Sequence, residues 1–334
     1  MLPLLSRRHL LSAGAATLAG ASLARLAPVL AAPIGPLEKP KLTLGLAVDG
    51  SNFAAVYIAA ARLWKEMGLN IEMTSFRGDA EVAQALAGDS VDISLQSYQG
   101  LVNLISANQP VIGFYAGFWQ ADFAWLAQPA IKGWADLKGQ AVGVSTFGSL
   151  TDQLTRYALK RHGLEPGKDV QIMQAGPSSS SYQALKSGRL TAAIQSAPYK
   201  WIGEDNGLTV LGTQVRDIGP TWPKNLFVAK QSFLDKNPNW VKAFLRAHVA
   251  GIRVARADRA FTVKVLMDRL KYAETYAARA YDELIEGYDE RGRFPDMKVF
   301  WDITVASGDV KEPWPNSKLL DDRFIKSFDE WAPA

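Results

Sequence analysis

Two stretches of the chain carry the same alternation of short apolar run, turn and amphipathic helix, and this repeat narrows the fold to a few layered architectures. In the first stretch, Leu42-Thr43-Leu44-Gly45-Leu46-Ala47-Val48 reads as a buried strand. Phe53–Met67 has helical apolar spacing and stops at Gly68. Asn70–Ser75 then reads as a second strand, Ala80–Ala87 as a helix closed by Gly88, and Val91–Leu95 as a third strand. In the second stretch, Gln140–Val144, Asp169–Met173 and Ala192–Ile194 read as strands, with helices over Ser149–Arg161 and Ser180–Lys186 that end near Gly163 and Gly188. Strands separated by helices of this length predict an α/β fold with mostly parallel sheets covered by helices. From Ser232 onward the pattern is helical, and Lys236-Asn237-Pro238 breaks it because proline cannot continue a helix.

What the chain lacks limits its chemistry. Its 334 residues include no cysteine and three histidines, which removes disulfides, thiolate nucleophiles and cysteine-ligated zinc. His9 lies in the N-terminal 32 residues. His162 closes an expected helix at Lys160-Arg161-His162-Gly163, and His248 lies in the helical run Ala243–Val249 as a packing or surface residue. Hydrolytic triads and histidine metal centres therefore lack their parts. No cofactor is implied, and the sequence favours a binding protein over an enzyme. The formal charge of +4 contains Arg7, Arg8 and Arg25, so without the first 32 residues it falls to +1, and nothing points to nucleic acid.

Those 32 residues read as a leader. Ser6-Arg7-Arg8-His9-Leu10-Leu11 puts paired arginines before a weakly apolar run to Leu23, and Val29-Leu30-Ala31 suits cleavage near Ala31 or Ala32. Arg25 and Ala27-Pro28 make a spanning helix a poor alternative. The expectation is a twin-arginine signal peptide over 1–32 and a free periplasmic protein. With no cysteine at the cleavage point, it is not expected to be a lipoprotein.

In open α/β sheets ligands collect at loops after the carboxyl ends of strands. Here those loops are Asp49-Gly50-Ser51-Asn52, Phe76-Arg77-Gly78 and Gln96-Ser97-Tyr98, then Ser145-Thr146-Phe147-Gly148-Ser149, Ala175-Gly176-Pro177-Ser178 and Gln195-Ser196-Ala197-Pro198. Hydroxyls, amides and glycines dominate them, a composition suited to holding a ligand.

Several ordered stretches resemble one known family. They are Ala83-Gln84-Ala85-Leu86-Ala87-Gly88-Asp89-Ser90-Val91-Asp92-Ile93, Ile131-Lys132-Gly133-Trp134-Ala135-Asp136-Leu137-Lys138-Gly139-Gln140, Gly163–Val170, Ala184–Ala193 and Phe233–Pro238. The chain resembles the periplasmic binding proteins for alkanesulfonates, taurine and nitrate, grouped with thiamine-pyrimidine precursor carriers and synthases. The resemblance implies a periplasmic-binding-protein type II fold, with two α/β lobes, two hinge crossings and a helical C-terminal tail. It also implies capture of a small molecule for the permease and ATPase of an ABC importer. The crossings are expected near Ala124–Gln128 and Leu211–Thr213, giving a first lobe of 33–126 and 213–334 and a second of 127–212. The protein is expected to be monomeric. The synthase branch carries a cysteine-rich motif and a histidine that are missing here, and Leu63-Trp64-Lys65-Glu66-Met67-Gly68 departs from the family's usual Gly-Tyr-Phe-like turn.

The candidate ligand-binding residues are Ser51, Asn52, Arg77, Ser97, Tyr98, Trp119, Ser145, Thr146, Gly148, Ser149, Ser178, Ser196 and Trp222. The Ser145–Ser149 turn opens a helix, so its amides suit an anionic head group; capping by Ser149 with Asp152 is the competing reading. Arg77 is the one cation in these loops and either pairs with an anion or bridges to Asp79 or Glu81. Trp119, Trp222 or Tyr98 would cover an apolar body, or else serve packing. The leading ligand is an organic anion such as a carboxylate or sulfonate, and a neutral heterocycle competes. Two other readings of the whole chain stand beside transport: an exported enzyme using Asp49 or Asp122, and a sensor subunit.

Overall fold

A computed structural model describes residues 33–334 of the chain; the expected leader and its cleavage site lie outside the described residues. The described residues form ten strands: β1 (Leu42–Leu46), β2 (Ile71–Ser75), β3 (Ile93–Ser97), β4 (Val111–Phe118), β5 (Ala124–Ala127), β6 (Ala141–Val144), β7 (Gln171–Gln174), β8 (Ala192–Gln195), β9 (Thr209–Thr213) and β10 (Asn225–Lys230). They make two five-stranded sheets, ordered β2-β1-β3-β10-β4 and β7-β6-β8-β5-β9. β1 is parallel to β2 and β3, whereas β10 is antiparallel to β3 and β4. The second sheet repeats this plan, with β6 parallel to β7 and β8 and β5 antiparallel to β8 and β9. In each sheet the antiparallel strand is the one whose chain has just arrived from the other sheet.

The runs read as strands from sequence are strands, within a few residues at their ends. β1 has Leu42, Leu44 and Leu46 fully buried because helices cover the sheet. The chain passes between the sheets a few residues away from the expected crossings. Ala124–Ala127 pairs along its length with β8 and β9, which ties residues 124–126 to the second sheet, and Leu211–Thr213 belongs to β9. The crossings are therefore 119–123 and 214–224. The physical reason is burial: Trp125 is fully buried in the second lobe and donates from Nε1 to Thr155 Oγ1 at 3.0 Å.

The C-terminal region is helical as expected. Pro238 opens the 20-residue helix Pro238–Ala257 at a position where its missing N–H costs nothing. Trp201, Trp240 and Trp301, read as packing residues, are buried. Among the described residues no helix is long and apolar enough to cross a membrane.

Helix Pro238–Ala257 lies directly on the helical segment 51–66, and Gly251 makes the approach possible. A Cβ there would sit 2.3 Å from the Ala55 carbonyl oxygen, a backbone atom that cannot swing aside. Gly251→Ala is expected to lose about 1–3 kcal/mol by overpacking, despite alanine's better helix propensity of about 1 kcal/mol. Urea unfolding measures it; a variant as stable as the parent would mean the two helices separate freely.

Candidate functional site

Because β1, β2 and β3 run parallel, as do β6, β7 and β8, each sheet gathers three strand-end loops at one edge, and the two edges face each other. All six loops contribute to a cavity of about 70 Å³. Its wall includes Asp49, Asn52 and Phe53 after β1, Asp79 after β2, and Ser97 at the end of β3. From the second lobe come Ser145, Leu150 and Thr151 after β6, Pro177 and Ser178 after β7, and Ser196 after β8. The crossings add Phe123 and Lys224, and the first residue of β10 adds Asn225. A wider outer chamber of about 300 Å³ shares Asp49, Pro177, Ser178 and Ser196 with the inner one and adds Arg269, Tyr199 and Tyr272.

Of the thirteen candidates, Asn52, Ser97, Ser145, Ser178 and Ser196 line the inner cavity. Asn52 Nδ2 donates to Asn225 Oδ1 at 2.7 Å. The Ser97 hydroxyl accepts from Gly100 N and so caps helix Tyr98–Ser106. Ser178 and Ser196 hydroxyls meet at 3.0 Å across the β7 and β8 loops. Ser145, Ser149 and Thr151 close a hydroxyl triangle with sides of 2.9, 2.7 and 2.9 Å.

The Ser145–Ser149 turn differs from the open anion cradle expected. Ser145 N donates to Thr151 Oγ1, Phe147 N to Gln174 Oε1, Gly148 N to Asp152 Oδ2 and Ser149 N to Thr146 O. Ser149 accepts from Asp152 N at 3.3 Å, so the capping reading describes this turn. Gly148 takes φ +71°, which favours glycine, and its carbonyl accepts from Asn103 Nδ2 of the first lobe at 2.7 Å. Thr146 is buried against Gly78, where an added Cβ would lie 2.5 Å from Thr146 Oγ1.

The remaining candidates point elsewhere. Arg77 does not line the cavity; its side chain is 74% exposed and faces Glu81 at 3.8 Å. Ser51 is buried at the start of the 51–66 helical segment. Tyr98 packs edge-on against Phe294 and Phe300, and Trp222 also packs on Phe300. Trp119 is half-buried and holds Gly287 O through its backbone N–H. The aromatic surface the cleft does present comes from Phe53 and Phe123 inside and Phe76, Tyr199 and Tyr272 outside.

Among the charged groups of the inner wall, sequence reasoning did not put forward Asp79 or Lys224, and it named Asp49 only as a carboxylate for the enzyme reading. Asp79 is buried; its Oδ1 accepts from Ser97 N at 2.8 Å and its Oδ2 from Leu150 N of the second lobe at 3.1 Å. Lys224 is buried and ion-paired with Asp122, and sits 4.5 Å above the Phe123 ring. Burial pulls its ammonium below the ordinary lysine range, with Asp122 opposing the shift. Asp49 is engaged by Arg269 at 3.0 Å, Ser75 at 2.8 Å and Tyr57 at 3.1 Å. The signal for Asp79 was its place directly after a strand-end loop, opening a helix. Phe123 and Lys224 carried no such signal, because they lie in the crossings, and neither did Asn225, which opens β10.

The two crossings are tied together by hydrogen bonds. Gln214 Oε1 accepts from Asp122 N, and Gln214 N donates to Phe123 O at 2.8 Å. Lys200 of the second lobe donates to Asp122 O at 2.7 Å and pairs with Glu283 of the C-terminal region. Burial raises the Glu283 carboxyl above its usual range, with Lys200 working against it.

Comparison with known proteins agrees with this architecture. The family described as NMT1/THI5 like matches residues 50–260. A relative from Bacillus subtilis (strain 168), named "Putative binding protein YtlA", is 26% identical over 58% of this chain and 60% of its own length. The chain thus spans about 60% of that relative. Among solved structures, the ligand-binding component of an ABC-type import system from Staphylococcus aureus, with zinc bound, superposes with TM-score 0.70 at 14% identity, over 89% of this chain and 100% of that one. The periplasmic aliphatic sulphonate-binding protein SsuA of Escherichia coli gives TM-score 0.59 at 20% identity, over 73% and 84%. At such identities the likeness establishes a shared fold.

Proposed function

The chain belongs to the NMT1/THI5-like family, and from that premise we propose that it is an extracytoplasmic solute-binding protein that hands a small organic molecule to an ABC importer. The observation that carries this reading is the convergence of six strand-end loops from two sheets on one partly open cavity whose wall carries hydroxyls and amides. The ligand would be held by Asn52, Asn225, Ser97, Ser145, Ser178 and Ser196, with Phe53 and Phe123 on its apolar parts. The inner cavity is smaller than the roughly 150 Å³ that holds benzene, so loading requires the sheets to part at the 119–123 and 214–224 crossings. Closure then follows because only the closed form offers both sets of contacts.

Binding without turnover is supported by the engagement of the acidic groups. Asp49 is held by Arg269 and Asp122 by Lys224, which leaves neither poised as a free acid or base. The two solved structures, a component of an ABC-type import system and a periplasmic binding protein, support export and an ABC importer as partner; its permease and ATPase and the twin-arginine leader belong to the same proposal.

The test is to identify solutes that co-purify from native cells by mass spectrometry, then titrate them into the pure protein. The right solute is expected to raise the Tm by mass action, about 2.7 kcal/mol at a hundredfold excess over Kd, and to lower the radius of gyration in scattering. Recovery of a chemically altered solute would turn the reading into an enzyme.

A further inference from the structure

We propose that Asp79 is a built-in anion, which occupies the oxyanion position of the inner cavity and thereby bars ligands with a negatively charged head from it. The clause about ligands rests on the cavity being the solute site; the occupancy itself does not. Helix Leu150–Arg161 points its N-terminus into the cleft, a place where backbone N–H groups and the helix dipole favour negative charge. That place is filled: Asp79 Oδ2 sits 3.1 Å from Leu150 N while Oδ1 sits 2.8 Å from Ser97 N. The carboxylate is 7% exposed and lines the cavity with both of its donors.

The surrounding charges leave Asp79 in this role. Arg77, two residues before it, turns outward to Glu81, and Lys224 across the cavity is taken by Asp122. Asp79 therefore draws its stabilisation from amides of both lobes, and a second carboxylate or sulfonate brought to the same amides would meet its charge directly. Gly78 lets this happen, since a side chain there would strike Thr146 and hold the two loops apart. A solute that fits the inner cavity beside Asp79 is uncharged or cationic at that end. The same two bonds make Asp79 a latch, because its two oxygens accept from amides of different lobes.

The experiment compares the full chain with Asp79→Ala, each titrated with formate, nitrate and, as an ionic-strength control, chloride, while Leu150 and Ser97 amide resonances are followed. In Asp79→Ala, formate or nitrate is expected to shift both amides, saturate, and restore thermal stability lost by the substitution. The parent is expected to bind these ions about ten- to a hundredfold more weakly, the range a charged hydrogen bond sets. If the alanine variant does not fold, Asp79→Asn carries the test: its Leu150 amide should exchange about tenfold faster and its particle should expand. Equal anion response in parent and Asp79→Ala overturns the proposal, as does an unchanged Leu150 exchange rate in Asp79→Asn. Neither readout uses the transported solute, so a failed solute-capture reading leaves them intact.

Discussion

Replacing Lys224 with methionine is expected to destabilise the protein by about 3–5 kcal/mol, because it leaves the Asp122 carboxylate buried without its counter-ion. Both side chains are nearly inaccessible, at 5% and 6%, so water cannot take over the partner's role. Lys224 also shields the Phe118 and Phe123 rings and donates its backbone N–H to Phe118 O, which places the pair where the two crossings meet. The double variant Asp122→Leu with Lys224→Met removes both charges and should recover most of the loss, since a buried pair exchanged for packed apolar groups is often neutral. Denaturant unfolding of the two single variants and the double gives the coupling. A double variant as unstable as the singles would show that packing at the hinge, not charge, carries the effect.

Acid is expected to weaken the fold through His248. It lies inside helix Pro238–Ala257, edge-on to Phe227 and Tyr115, and neither ring nitrogen has a hydrogen-bond partner. Burial pushes its pKa down to about 3 from the ordinary 6.5. The sign follows from proton counting: between these values the unfolded chain binds a proton that the folded chain refuses, so stability falls as pH drops. The slope from this one group is about 1.4 kcal/mol per pH unit below 6.5, flattening near 3. His248→Phe keeps an aromatic ring in the pocket and should remove that slope, so its stability relative to the parent improves by about 2 kcal/mol between pH 7.5 and 5. Urea unfolding at the two pH values measures the change; identical slopes in parent and variant would place the acid sensitivity elsewhere.

The sequence made some parts of this molecule plain and hid others for definable reasons. β1, β2 and β3, like β6, β7 and β8, sit between helices with clear glycine stops, so local patterning exposes them. β5 and β10 gain their places from partners far along the chain, as Val228 does from Ser94 and Gly113. No local pattern encodes that pairing, and the crossings were misplaced with it. At the site, loop position was legible and side-chain direction was not. Arg77 and Asp79 are two residues apart, yet one faces solvent and the other is buried between lobes. Tyr98 and Trp222 follow the same rule: large rings near a cleft are drawn into the core when Phe300 and Phe294 offer them a wall.

The exchange of antiparallel strands between the sheets also sets a schedule for synthesis. All five strands of the second sheet fall within 124–213, so a nascent chain holds everything that sheet needs once Thr213 has been made. The first sheet begins earlier and finishes later. Between β3 and β4 it keeps a gap one strand wide until Asn225–Lys230 emerges, and until then two inner edges of unpaired amides and carbonyls stand open. The lobe that starts at the N-terminus is thus the last to close, and a chain interrupted before Lys230 exposes the edges most prone to pairing with a neighbour.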